Sequence, residues 1–334
     1  PTGDACDSTC VATAREGDVC LLRCARDADC RADEGYVCEA GACTLPNLAA
    51  IAPQTCPALP GPALDASFTP SEPWSDASTP GIYQLEPSAA VLPGGGLVAL
   101  FATRGRGTDG DVLAIARGDA AGATASAAPV GPQTAGRFEP HVARDKAGML
   151  HAVWLERGAG TEEIALASSK DGQAWSAPVA VQDPGDCAAG AHDCLDRPMI
   201  AIGPDPQHRG GEILYVLYAA DGAGLRVRAS RDGGATFSPA VTALAGSYGT
   251  AAIGADGRLH LVAIDGSPLG AFGSAAQTIQ YTVSSDGGVT FAPPVTASAP
   301  DEMLPFFFAN PSVAVDDRRG WLYVAYVRGG RDAR

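Results

Sequence analysis

Carboxylates and glycines are concentrated in one recurring turn. The stretch Ser230-Arg231-Asp232-Gly233-Gly234-Ala235-Thr236-Phe237 returns as Ser284-Ser285-Asp286-Gly287-Gly288-Val289-Thr290-Phe291. A version one residue shorter reads Ser169-Lys170-Asp171-Gly172-Gln173-Ala174-Trp175. Such a density of Asp and Gly marks a candidate site. Its repetition supports a second reading, in which each Asp accepts backbone N–H bonds inside its own turn. Glycines then supply left-handed backbone and the aromatic residue packs beneath. Two other loops carry acidic groups, one around Asp109 and Asp111 and one from Asp183 to Asp196. Hard cations take carboxylate and carbonyl oxygens, so Ca²⁺ at Asp183 and Asp193 is one expectation and a plain solvated loop the other.

Other chemistries find little support. The five histidines (His141, His151, His192, His208, His260) have no zinc spacing. Cys20 and Cys24 could open a four-thiolate zinc site, but no closely spaced second pair completes it. No Ser-His-Asp arrangement stands out, and no glycine-rich phosphate loop leads from a strand into a helix. Arg117-Gly118-Asp119 spells an adhesion tripeptide, which we read as chance. No cofactor beyond calcium is expected.

The elements that position these residues follow from composition and repeat. A formal charge of −15 over 334 residues argues against nucleic acid or an anionic membrane as partner. No apolar run approaches the length of a membrane span. Ten cysteines, eight of them before residue 57, point to disulfides and an oxidising compartment, hence to a secreted or surface-exposed protein. Cys187 and Cys194 are spaced to staple one surface loop.

From Pro87 onward the segments superimpose. A first strand of small residues begins at Pro87, Pro140, Pro198, Gly249 and Pro311. A Gly/Asp turn and a strongly apolar second strand follow, then a third strand that runs into the repeated turn, then a short Pro/Val segment. Four antiparallel strands per unit, with small residues innermost, is the sequence form of a β-propeller blade.

The turn Ser-x-Asp-Gly-Gly-x-Thr-Phe resembles the Asp box (BNR repeat) of sialidase-like propellers. The resemblance covers about Pro87 to Arg334. It implies an all-β, six-bladed ring that is incomplete in this chain, with a five-bladed ring as alternative. Phe68 to Ser75 is a possible closing strand, and a further chain a possible partner completing the propeller. It makes Ser169, Asp171, Trp175, Ser230, Asp232, Gly234, Phe237, Ser284, Asp286, Gly288 and Phe291 structural. It places ligand binding at the other end, where Arg104, Arg106 and Arg197 are candidate contacts. Asp109 or Asp111 would match the family's acid/base.

The family's first arginine has no counterpart in Tyr83-Gln84-Leu85-Glu86-Pro87. The stretch from Cys24 to Cys43 resembles small Cys-rich modules of secreted bacterial proteins. That implies Cys24–Cys38 and Cys30–Cys43, with the other bridges among Cys6, Cys10, Cys20 and Cys56.

The expected organisation is a disulfide-rich module over 1–56, a Pro/Ser-rich linker over 57–86, and a propeller of about four and a half blades over 87–334. The expected function is a non-catalytic extracellular module that recognises glycan or protein, within a surface assembly in one version. A sialidase-type glycoside hydrolase with an altered carboxylate-binding site is the alternative.

Overall fold

The computed structural model describes residues 8–13, 17–22, 25–26, 28, 37–39, 42–44, 84–92, 95–104, 111–118, 124–130, 135–158, 161–187, 191, 193–265, 278–298 and 311–327. The chain divides into two compact units, Pro1–Glu72 and Pro73–Arg334. No described helix is long and apolar enough to cross a membrane.

The first unit contains two antiparallel pairs. Strand β1 (Ser8–Thr13) pairs with β2 (Gly17–Leu22), setting Cys10 opposite Cys20. Strand β3 (Val37–Glu39) pairs with β4 (Ala42–Thr44), setting Cys38 opposite Cys43. Cys38 is disulfide-bonded. The expected pairings Cys24–Cys38 and Cys30–Cys43 involve residues outside the described ones, as do Cys6 and Cys56. A disulfide-rich domain as such is therefore not shown.

The second unit is all-β. Its first blade orders β5 (Gln84–Val91), β6 (Leu97–Arg104), β7 (Asp111–Gly118) and β8 (Thr124–Pro129). The second contains β9 (Gly136–Arg144), β10 (Leu150–Gly158), β11 (Thr161–Ser169) and β12 (Val179–Ala180). The third contains β13 (Leu195–Pro204), β14 (Glu212–Ala220), β15 (Gly224–Ser230) and β16 (Val241–Leu244). The fourth contains β17 (Ser247–Ile253), β18 (Leu259–Ile264), β19 (Ile279–Ser284) and β20 (Val295–Thr296). A last pair, β21 (Ser312–Asp316) and β22 (Trp321–Ala325), is two-stranded.

The described residues thus form four four-stranded blades and one two-stranded pair, where a six-bladed ring was expected. The physical reason lies in the third strands. Only β7, β11, β15 and β19 continue a blade beyond its second strand among the described residues. In β22, Trp321 is 57% and Tyr323 49% exposed, whereas the equivalent residues of β14 and β18 are buried on both faces.

The core is a stack of layers between blades. Val98 and Leu100 of the first blade meet Val142, Leu150 and Trp154 of the second. Val153 and Leu166 of the second blade meet Ile200 and Val216 of the third. Tyr215 and Leu217 of the third meet Leu259 and Leu261 of the fourth. Second strands are apolar throughout because both of their faces are covered, unlike a strand with one wet face. Trp154 is buried, with its Nε1 donating to Glu156 at 2.9 Å. Trp154→Ala is expected to cost about 3–5 kcal/mol, read as a fall in the urea midpoint.

The repeated turns clasp one blade to the next. Asp232 Oδ1 accepts from Thr236 N at 2.9 Å, and Ser230 Oγ accepts from Gly234 N at 2.8 Å. In the fourth blade Asp286 Oδ1 accepts from Val289 N and Thr290 N at 3.1 and 3.0 Å. In the shortened copy Asp171 Oδ1 accepts from Gln173 N and Ala174 N at 2.8 and 3.1 Å. Hydrogen bonds from the Thr236 side chain and backbone and from Ser230 hold Asp232 down to about 2. Gly234 and Gly288 have φ of 90° and 83°. A Cβ there would press on Leu166 and Tyr215 of the preceding blade, so both the backbone conformation and the close approach call for glycine. Trp175, Phe237 and Phe291 each pack into the layer between their own blade and the preceding one.

An ion-pair group secures the same end of the third blade. Burial would raise the pKa of Asp205. Hydrogen bonds from Arg231 Nε (2.7 Å), Gln207 N (2.9 Å) and His208 Nδ1 (2.8 Å) instead lower it from 3.8 to about 2. With the folded value below the unfolded one, this contribution is complete above about pH 4 and is lost as pH falls toward 2. Asp205→Asn should flatten the dependence of Tm on pH across that window. An unchanged slope would place the acid lability elsewhere.

Candidate functional site: the axial ends of the inner strands

Each blade's first strand lies innermost, next to the first strand of the following blade: β5 by β9, β9 by β13, β13 by β17 and β17 by β21. Neighbouring inner strands share no backbone ladder, so side chains bridge them. Ser88 Oγ accepts from Val142 N at 3.0 Å, and Thr250 Oγ1 donates to the Pro311 carbonyl at 3.0 Å. His141 occupies the matching position in the second blade, where burial lowers its pKa to about 4 and keeps the imidazole neutral.

One irregularity recurs near the start of these strands. The register shifts between Leu85 and Ser88, opposite Val153 to Leu155, between Asp196 and Met199, and between Ser247 and Thr250. Each shift inserts a bulge, and three of the bulged residues have left-handed backbone: Glu139 (φ 53°), Arg197 (φ 49°) and Tyr248 (φ 52°). The next residue is Pro140, Pro198 or Gly249. Proline has no N–H to give a ladder, and a Cβ at Gly249 would strike the Leu225 side chain. Left-handed backbone at a non-glycine residue costs on the order of 1–3 kcal/mol, and such strain gathers at functional sites.

The three residues converge although they belong to three blades. Arg197 N donates to Glu139 Oε2 at 2.6 Å, and Arg197 Nε lies 3.1 Å from Glu139 Oε1. The Arg197 guanidinium sits 4.9 Å above the Tyr248 ring centroid, a cation–π distance. The side chain of Glu139 is 13% exposed and that of Arg197 34%, so both reach solvent from a half-buried cluster. Burial, and then the charge of Asp196, push the Tyr248 phenol up; Arg197 opposes this and Glu139 adds to it. A neutral phenol in this place can donate a hydrogen bond. The end of the ring opposite the repeated turns thus holds two carboxyl groups, a guanidinium and a phenol.

The neighbouring segments fix this cluster. A disulfide joins Cys187 and Cys194, with Cα atoms 5.6 Å apart. Just after it, Glu162 Oε2 accepts from Cys194 N at 2.8 Å and Leu195 N at 3.1 Å, and Arg157 Nε meets Glu162 Oε1 at 2.6 Å. Asp196 and Arg197 follow directly in the chain. Glu162 and the two sulfurs lie within 4.8 Å of one another, but sulfurs bonded to each other offer no thiolate to a metal. A cleft of about 310 Å³ between 219–224 and 242–247 includes Ser247, the residue before Tyr248.

Of the residues singled out in the sequence, Arg197 is in the cluster. Arg104 and Asp111 face each other at the ends of β6 and β7, with side chains outside the described set. Arg106 and Asp109 lie wholly outside it. Asp183 accepts backbone N–H bonds from Gly185 and Ala240, and Asp193 pairs with Arg157 at 3.2 Å. Asp196 was noted only as the end of the acidic loop from Asp183, and Glu139 and Tyr248 went unnoticed in the sequence. Glu139, Arg197 and Tyr248 share one signal, a place directly before an inner-strand Pro or Gly.

The chain matches no known family profile and no curated protein sequence. Among solved structures it is similar to an α-L-arabinanase of Penicillium chrysogenum complexed with arabinobiose. The two are 17% identical, with a TM-score of 0.50 over 73% of this chain and 75% of that one. A GH93 α-L-arabinofuranosidase of Fusarium graminearum gives 15% identity, a TM-score of 0.48 and coverage of 73% and 74%. A family 117 glycoside hydrolase of Zobellia galactanivorans gives 12%, 0.45, and coverage of 75% and 85%. At these identities the likeness is one of fold.

The expectation of a non-catalytic binding or structural module is corrected. The propeller arrangement found here is one that an α-L-arabinanase also has. Among the described residues, Arg197 of the third blade brings a guanidinium to this axial end, where it faces Glu139.

Proposed function

We propose that the chain is a propeller glycoside hydrolase whose reaction centre is the cluster of Glu139, Asp196, Arg197 and Tyr248. One observation carries this reading: two carboxyl groups, an arginine and a protonated tyrosine meet at strained bulges on the axial end of a ring whose fold is shared with an arabinanase. Glycoside cleavage uses two carboxyl groups, one that protonates the leaving oxygen and one that acts as base or nucleophile. Glu139, held against Arg197, supplies the anionic member. Asp196 supplies the second carboxyl. Tyr248 donates a hydrogen bond to a sugar hydroxyl, and Arg197 fixes Glu139. The disulfide at Cys187–Cys194 supports a secreted placement, with an extracellular glycan as substrate.

The test is turnover on a panel of neutral glycosides, including α-L-arabinofuranosides and linear arabinan, with a sialoside alongside. Release of reducing ends from at least one neutral substrate is expected. No turnover on any member, with the protein folded and the disulfide intact, would remove the reading.

A further inference from the structure

Resting on that reading, we propose that the axial site selects an uncharged sugar and rejects acidic ones, because the arginines described around it are each paired with a carboxylate of the chain. Arg197 is engaged by Glu139 through both its Nε and its backbone N–H. At the same end of the second and third blades, Arg137 meets Glu156 at 2.9 Å, Arg157 meets Glu162 at 2.6 Å, and Arg226 meets Asp186 at 3.2 Å. Asp196 then adds a carboxylate beside Tyr248.

An entering sugar carboxylate would have to displace Glu139 from Arg197 or sit against two anions. Either course costs free energy that a neutral ring does not meet, since like charges without a counter-ion repel in a site of reduced dielectric. A hydroxylated ring needs no such exchange: the Tyr248 hydroxyl donates to it and the carboxylates accept from it. The net charge of −15 works in the same direction at long range.

The experiment compares binding of one sugar in two charge states. Galacturonate disaccharide and its methyl ester are titrated calorimetrically into the whole chain, with arabinobiose as a neutral reference. The ester and arabinobiose are expected to bind, the ester about tenfold or more tighter than the free acid. That preference should shrink as salt rises. Glu139→Gln should free Arg197 and bring the acid to within about twofold of the ester. Its fold is confirmed by an unchanged near-ultraviolet spectrum.

Equal binding of acid and ester by the unsubstituted chain would overturn the proposal, as would an unchanged preference in Glu139→Gln. Neutral binding without turnover on any glycoside would count against the hydrolase reading and leave the charge selection supported. Absence of all sugar binding would take down both.

Discussion

Glu139→Gln is expected to lower kcat on the best neutral glycoside by about 10²- to 10⁴-fold, the range for losing a positioned acid or base. The substitution keeps the volume and one acceptor for Arg197 N, which donates to the Glu139 carboxylate at 2.6 Å. It removes the charge that faces Arg197 Nε. The change should therefore fall mainly on kcat, because the amide keeps the shape of the carboxylate and an acceptor for the Arg197 N–H. Asp196→Asn should give a loss of similar size. The two losses should not add when combined, since carboxyl groups that act as a unit are not independent. A Glu139→Gln protein with full turnover would exclude Glu139 from the chemistry. Tyr248→Phe makes a milder comparison: it removes the donated hydrogen bond and keeps the ring beneath Arg197.

The second large effect is on stability. The Glu162 side chain is 0% exposed and accepts from Arg157 Nε and from the backbone N–H groups of Cys194 and Leu195. Glu162→Leu would leave two buried N–H groups without their acceptor and take the Arg157 guanidinium's nearest anion away. Arg157 is 36% exposed and keeps Asp193 at 3.2 Å, so the loss is that of the N–H groups left without an acceptor, about 1–3 kcal/mol each. The urea midpoint should fall by the corresponding amount at an unchanged m-value. Glu162→Gln should recover part of the loss, since an amide oxygen still accepts one N–H. The strand start that Glu162 anchors runs straight into Asp196 and Arg197. Even the Gln variant should thus raise KM or lower kcat under conditions where it is fully folded. A loss of less than about 1 kcal/mol for Glu162→Leu would mean that water reaches these N–H groups.

The blades could be read from the sequence because their determinants are local. Alternating and continuous apolar runs, Gly/Asp turns and the Ser-x-Asp-Gly clasp act within a few residues of the chain, and they repeat. The inner strands expected from Pro87, Pro140, Pro198, Gly249 and Pro311 occupy the expected place in each sheet. The first four start two to four residues earlier, at Gln84, Gly136, Leu195 and Ser247, and the last starts at Ser312. The sequence also showed that Asp171, Asp232 and Asp286 recur together, and the structure turns all three inward on their own backbones. Blade number was less accessible, because it depends on which strands find a partner. The sequence does show a fifth first-and-second strand pair without a third strand, and in the structure the second strand of that pair, β22, holds the exposed Trp321 and Tyr323.

The cluster at the axial end was beyond local reading altogether. Glu139, Arg197 and Tyr248 are separated by a full blade each, and nothing in their immediate neighbours draws them together. They meet because each bulge stands at the same height on an inner strand and the ring sets those strands side by side. Sequence by itself determined the repeating unit, the clasp and the acidic character of the chain. Tertiary structure decided which three bulges face one another, because a contact between inner strands depends on the packing of whole blades and not on the residues beside it in the chain.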